Sequence, residues 1–261
     1  MPIITFSSCF YILKSKFGPG TYITWMNNLI SIVNNFNLVI YTDESSSKFI
    51  KINNNPLIKI IIKPSHEFYC YQYKDAWIKN HEQNYLLKNF SGWELNMLWS
   101  EKINFVFETS QQKYFDTEFY GWCDIGYFRN RSNDTSTSLL GAWPSNDKIN
   151  ALDKTKIHYA CVNNNKSYLN YLCKLVYSKS EIPPDQISIA GGFFILHKNL
   201  VEWWKNTYYT KMDEFLKNGL LIKDDQIIIA NCIFSDLKNF CLHGENLNRL
   251  DNWFMFQRIL M

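Results

Sequence analysis

Ile3-Ile4-Thr5-Phe6-Ser7-Ser8-Cys9-Phe10, then a helical period over residues 21–35, then Leu38-Val39-Ile40-Tyr41-Thr42-Asp43, is the stretch whose reading decides the fold. Residues 3–10 read as a first strand. Residues 21–35 place Ile23, Met26, Leu29, Ile30 and Val33 on one helical face. Residues 38–41 form a short, continuously apolar strand that ends in Thr42-Asp43-Glu44. Strands alternating with helices early in a chain favour a parallel or mostly parallel sheet. In such sheets ligands bind outside the carboxyl ends of the strands.

Outward from that stretch, residues 57–62 read as a further strand closed by Pro64, and residues 67–89 and 93–107 as helices. Residues 119–128 are an apolar, aromatic run containing Asp124. Residues 129–138 and 181–185, the latter with Pro183-Pro184, read as exposed loops. Residues 187–197 return to a strand pattern broken by Gly191-Gly192. Helices are expected over 200–216 and from Asp224 to 234, with acids in the first turn. The tail, with Trp253, Phe254, Met255 and Phe256, is apolar enough to dock on the body of the protein.

With 46% hydrophobic, 17% aromatic and 20% charged residues, the 261-residue chain has the balance of a protein with a sizeable core. Its 27 Lys and Arg against 24 Asp and Glu leave a net charge of +3, with no basic stripe, which argues against a nucleic-acid partner. No apolar run approaches the ~20 residues needed to cross a bilayer. The N-terminus lacks the charged and apolar regions of a signal peptide. A soluble, cytoplasmic protein is therefore expected. The seven cysteines show no C-x-x-C spacing, which fits reduced, buried thiols. The abundance of Asn, Lys and Ile matches coding in an AT-rich genome, as in a low-GC microbe or a large virus.

Four segments could carry chemistry. Trp122-Cys123-Asp124-Ile125-Gly126 puts an acid among bulky apolar residues, where it must pair or bind a cation such as Mg²⁺ or Mn²⁺. Pairing with Arg129 or capping a turn is the ordinary alternative. Ala190-Gly191-Gly192-Phe193 removes side chains where a substrate or a packed neighbour approaches. Asp224-Asp225-Gln226 opens a helix, either as favourable charges at its positive end or as a carboxylate aimed into a cleft. His243-Gly244-Glu245 offers one imidazole, structural unless it joins a metal held by Asp124. Phosphate-loop, dinucleotide, nucleophile-elbow and H-E-x-x-H motifs are all missing.

Taken in order, these segments resemble nucleotide-sugar glycosyltransferases of the GT-A fold, and among them the HtrL/YibB-like (WlaTC/HtrL) group, which has bacterial and large-virus members. The resemblance is carried by Ile4-Thr5-Phe6, Val39-Ile40-Tyr41-Thr42-Asp43, residues 120–129, residues 190–194, Asp224-Asp225-Gln226 and Trp253-Phe254. Each segment is short, and the specificity lies in their order along nearly the whole chain.

The resemblance implies an α/β, Rossmann-like GT-A domain over residues 1–261, with a mostly parallel mixed central sheet flanked by helices. It implies that Thr5, Phe6, Ser7 and Asp43 lie near the donor base and ribose, with Lys102 a diphosphate partner by its position. Asp124 would match the metal-binding acid of a D-x-D motif, although Asp124-Ile125-Gly126 lacks the second acid. His243 resembles the late metal-ligand His of glycogenin-like transferases, so Asp124 and His243 together would hold Mn²⁺ or Mg²⁺. Gly191 and Gly192 would let a sugar lie against backbone. Asp225, with Asp224 as alternate, would face the reaction centre as base or electrostatic stabiliser. The implied reaction moves a sugar from a nucleoside diphosphate, expected to be a UDP-sugar, to a hydroxyl of a glycan or glycoprotein. A homodimer is the base-rate expectation. The alternative is a catalytically silent relative that binds carbohydrate or nucleotide.

Overall fold

Strands β1 (Ile4–Phe10) and β2 (Asn37–Thr42) are buried along almost their whole length, as strands covered on both faces must be. The computed structural model describes residues 2–245 and 250–261. Helix α1 (Pro19–Ser31) connects β1 to β2 and starts on a proline, whose missing N–H would be unpaired at that position anyway. A single turn, α2 (Glu44–Ser47), leads to β3 (Ile58–Ile62). The chain then returns through α3 (Lys74–Gln83) and α4 (Trp93–Gln112) to β4 (Phe119–Cys123). It continues through α5 (Asn146–Asn150), β5 (Ile157–Cys161), α6 (Lys166–Tyr177), β6 (Ile189–His197), α7 (Val201–Lys217), α8 (Asp225–Ser235) and β7 (Phe240–His243). A last turn, α9 (Phe256–Ile259), closes it.

The seven strands form one sheet in the order β3-β2-β1-β4-β6-β5-β7. All neighbours pair parallel except β6, which runs antiparallel to both β4 and β5. The chain is thus α/β with a mixed, mostly parallel sheet flanked by helices, consistent with a Rossmann-like fold. Alternation along β4 shows how the two faces are filled. Tyr120 and Trp122 join α4, α7 and α8 in one core, while Phe119 and Cys123 join α1 and the C-terminal tail in the other. The tail is docked, with Met255, Phe256 and Leu260 fully buried. No helix among the described residues is long and apolar enough to cross a membrane.

Residues 67–89 do not form the single helix that their periodicity predicts. Two 3-10 turns, Ser65–Glu67 and Tyr69–Tyr73, precede α3. The buried carboxylate of Glu101 on α4 accepts the backbone N–H groups of Tyr69 and Cys70 at 2.8 Å each. Those bonds tie the segment to α4, with Phe68 extended (ψ 143°) between the two turns, so the helix begins only at Lys74.

Gly121 fixes the spacing of β4 and β6. A Cβ there would lie 2.3 Å from the backbone oxygen of Phe194 and 3.0 Å from the Phe6 ring. Gly121→Ala is accordingly expected to destabilise the chain by ~1–3 kcal/mol, the usual cost of overpacking. A urea midpoint unchanged by the substitution would contradict so close an approach.

Candidate functional site

The strand order reverses between β1 and β4, because β2 and β3 extend one way from β1 and the rest of the sheet extends the other. Such a switch point opens a crevice at the carboxyl ends of the strands. A cleft of about 390 Å³ lies there, lined among others by Tyr11 after β1, Asp124 after β4 and Lys102 from α4. Because β6 is antiparallel to β4, its first residues sit where β4 ends, and Gly191 and Gly192 enter the same cleft. The start of α8 adds Asp224 and Asp225.

Lys102 organises this set. Its Nζ lies 3.1 Å from Asp124 Oδ1 and 3.0 Å from Asp225 Oδ2, and donates to the Gly191 carbonyl at 3.1 Å. The Trp122 indole N–H also donates to Asp124 Oδ1, at 2.6 Å. The contact to Asp225 is ionic, lying off the axis of a good hydrogen bond. Burial opposes the charge on Lys102, yet Asp124 and Asp225 together hold its pKa above the ordinary lysine value. Burial pushes Asp225 up to about 7. Lys102 pulls the other way, and Asp224 and Asp124 add to the push. A carboxyl group so placed exchanges its proton near neutral pH, as a general base must.

The adjacent acids point in different directions. Asp224 is buried and lies 3.3 Å from Lys223 Nζ, and its Oδ1 has no hydrogen-bond partner. Burial raises its pKa as well, with Lys223 opposing. Asp225 is the one that meets Lys102. The glycines make room for both cleft carboxylates. A Cβ on Gly191 would stand 2.8 Å from Asp225 Oδ2, and one on Gly192 would stand 3.0 Å from Asp124 Oδ2.

Arg129 does not pair with Asp124. Its Nε donates to the Gly126 carbonyl at 2.9 Å, and its guanidinium lies over Trp25 and Phe254, 4.3 and 5.0 Å from their ring centroids. Burial lowers its pKa, with Arg131 adding to the effect. Arg131, by contrast, is engaged by Asp134 and Asp251. Arg129 is therefore a cation in the cleft without a carboxylate partner among the described residues, suited to a planar anion such as phosphate. Sequence reasoning singled it out only as a partner for Asp124. Its place after the aromatic run Tyr127-Phe128 is the signal that stood for it.

Of the residues implied by the resemblance, Lys102, Asp124, Gly191, Gly192, Asp224 and Asp225 line one cleft. The others are placed elsewhere. Thr5, Phe6 and Ser7 are fully buried inside β1. Thr5 bonds Thr117, Ser7 bonds Thr109, and Phe6 packs on Phe36 and Trp143. The cleft takes the residues after them, Cys9 to Tyr11, since only the end of a central strand reaches the crevice. Asp43 caps α2, accepting from Ser46 N and Ser45 Oγ at 2.7 Å each. His243 ends β7, three strand spacings from β4, or roughly 14 Å along the sheet. It pairs with His158 instead of approaching Asp124.

Among the donor atoms for a divalent cation, Asp124 Oδ1 is occupied by Trp122 and Lys102, whereas Oδ2 makes no hydrogen bond among the described residues. The Asp124 side chain keeps 38% of its surface exposed to the cleft. One carboxylate completed by substrate phosphates is a usual setting for Mg²⁺, so the residues fit such an ion as a one-acid site. Trp143, with its ring stacked on Phe6, is core, and the seven cysteines are all free. No protein-family model matches the chain, and no curated protein is similar enough to count as a match.

Proposed function

We propose that the chain is a glycosyltransferase of GT-A type that moves a sugar from a nucleoside-diphosphate donor, with a UDP-sugar first among candidates, to a hydroxyl of a glycan or glycoprotein. The observation that carries this reading is the Lys102 ammonium tying Asp124 to the buried Asp225 above the Gly191-Gly192 floor of a switch-point cleft. The resemblance to the HtrL/YibB-like group contributes the choice of donor class.

Each residue has a part that its chemistry suits. Arg129 neutralises a donor phosphate through its unpaired guanidinium. Lys102 holds Asp124 and Asp225 in fixed positions and adds a positive charge beside the departing diphosphate. Asp225 accepts the proton of the attacking hydroxyl. Asp124 would hold Mn²⁺ or Mg²⁺ through Oδ2, and such an ion neutralises charge that develops on the diphosphate. The stacked Trp25 and Phe254 keep Arg129 rigid, so little of its freedom is lost on binding.

Thermal unfolding across nucleoside diphosphates and their sugars, with Mn²⁺, Mg²⁺ or chelator, tests this. Preferential binding to the native state raises the melting temperature by mass action. One nucleotide should raise it, its sugar should raise it further, and Arg129→Met should weaken that binding by roughly 10–100-fold, the value of a charged hydrogen bond. No shift with any donor in a folded sample would sink the reading. Binding without transfer would favour a silent binding protein, the reading that the missing second acid after Asp124 supports.

A further inference from the structure

At the far edge of the sheet, β5 and β7 pair parallel with His158 opposite Cys241 and Ala160 opposite His243. Register partners share a face, and so do residues two apart along a strand. His158, Cys241 and His243 therefore project from the same side, and their ligand atoms lie within 4.8 Å of one another. They are the one such group of three among the described residues.

The hydrogen bonds fix one of the imidazoles. His158 Nε2 lies 3.0 Å from the Asp153 carbonyl, which can only accept, so Nε2 carries the proton. Nδ1 then presents its lone pair to the other side, where His243 Nε2 stands at 2.9 Å. A backbone carbonyl behind the imidazole is how metal-binding histidines are commonly oriented. His158 is fully buried while Cys241 and His243 are half-buried, so the group has a floor and an approach from solvent.

We propose that His158, Cys241 and His243 bind a zinc-class transition-metal ion, with a water molecule in the fourth position. Two imidazoles and a thiolate are borderline-to-soft donors, which favour Zn²⁺ over the hard, oxygen-seeking Mg²⁺ and Mn²⁺. Two nitrogens around a tetrahedral zinc stand roughly 3.3 Å apart, for Zn–N bonds of ~2.0–2.1 Å. The rings would part slightly from their present contact. Binding displaces the thiol proton of Cys241 and replaces the His158–His243 hydrogen bond, so uptake weakens as pH falls. The site lies outside the cleft and does not depend on the glycosyltransferase reading.

The test uses the chelator-stripped 261-residue chain, titrated with Zn²⁺ against a chromophoric competitor. One equivalent should bind, and Cys241→Ser and His243→Asn should each weaken it by more than the ~100-fold that loss of an orienting partner can cost. Asp124→Asn should leave that equivalent unchanged, which separates it from any cation in the cleft. Co²⁺ should give a thiolate charge-transfer band in the native chain that Cys241→Ser removes, a readout that holds even if one variant fails to fold. A folded native chain that takes up no Zn²⁺ and shows no cobalt band would overturn the proposal. So would folded Cys241→Ser and His243→Asn chains with native affinity and stoichiometry.

Discussion

On the proposed glycosyltransferase reading, Asp225→Asn is expected to lower sugar transfer by ~10²–10⁴-fold, the range for loss of a general base, while donor affinity stays near that of the native chain. The amide is nearly isosteric, still lies against Lys102, and cannot take a proton from an attacking hydroxyl. The native rate should rise with pH through about 7, where Asp225 loses its proton, and that limb should vanish in the variant. Stability carries a second signature of the same group. A carboxyl pKa raised in the folded state means that the native chain binds more protons than the unfolded chain between about 4 and about 7. Stability from this group is therefore greatest below the unfolded value and declines as pH rises to about 7. Asp225→Asn should flatten that slope. Transfer at the native rate by a folded variant would move the base elsewhere, with Asp224 the next candidate.

Lys102→Met should cost about 1–3 kcal/mol at neutral pH, because it removes the cation that Asp124 and the Gly191 carbonyl face, while Asp225 can keep its proton near pH 7. Here two carboxylates lose their shared cation, and Asp225 is 4% exposed. For a chain of this length the melting temperature should fall by roughly 5 °C. The sign of the pH dependence makes the cause testable. Without Lys102 the Asp225 carboxyl should hold its proton to higher pH, so the deficit should shrink on acidification. Adding Asp225→Asn to Lys102→Met should recover much of the loss in a double-mutant cycle. A Lys102→Met chain with native stability at neutral pH would show that Lys102 does not hold these acids together.

The legible parts of the fold were those with strong local patterns. Strand β2 is a nearly continuous apolar run, β1 and β3 are apolar runs broken by Thr5, Ser7, Ser8 and Lys59, and α4, α7 and α8 have long helical periods. The structure places each within five residues of its expected bounds. Strands β5 and β7 were not foreseen. They are five and four residues long, and His158, Cys241 and His243 interrupt their apolar character. Helix α6 escaped too, although its cap is local, with Asn165 accepting from Tyr168 N. Part of the cleft was legible for a chemical reason. Acids and paired glycines inside apolar runs are unfavourable without a partner, so Asp124, Asp225, Gly191 and Gly192 stood out.

What the sequence determined by itself is the layered α/β class and the identity of the residues under electrostatic strain, since periodicity and the cost of buried charge are local properties. Which of those residues meet was decided only by the tertiary structure. The reversal of β6 brings Gly191 and Gly192 to the end of β4, and α4 carries Lys102 between two acids that lie 101 positions apart in the chain (225 − 124). The order β4-β6-β5-β7 likewise carries His243 away from Asp124 and sets it against His158. Strand order and direction come from packing the whole sheet at once, and no local pattern encodes them.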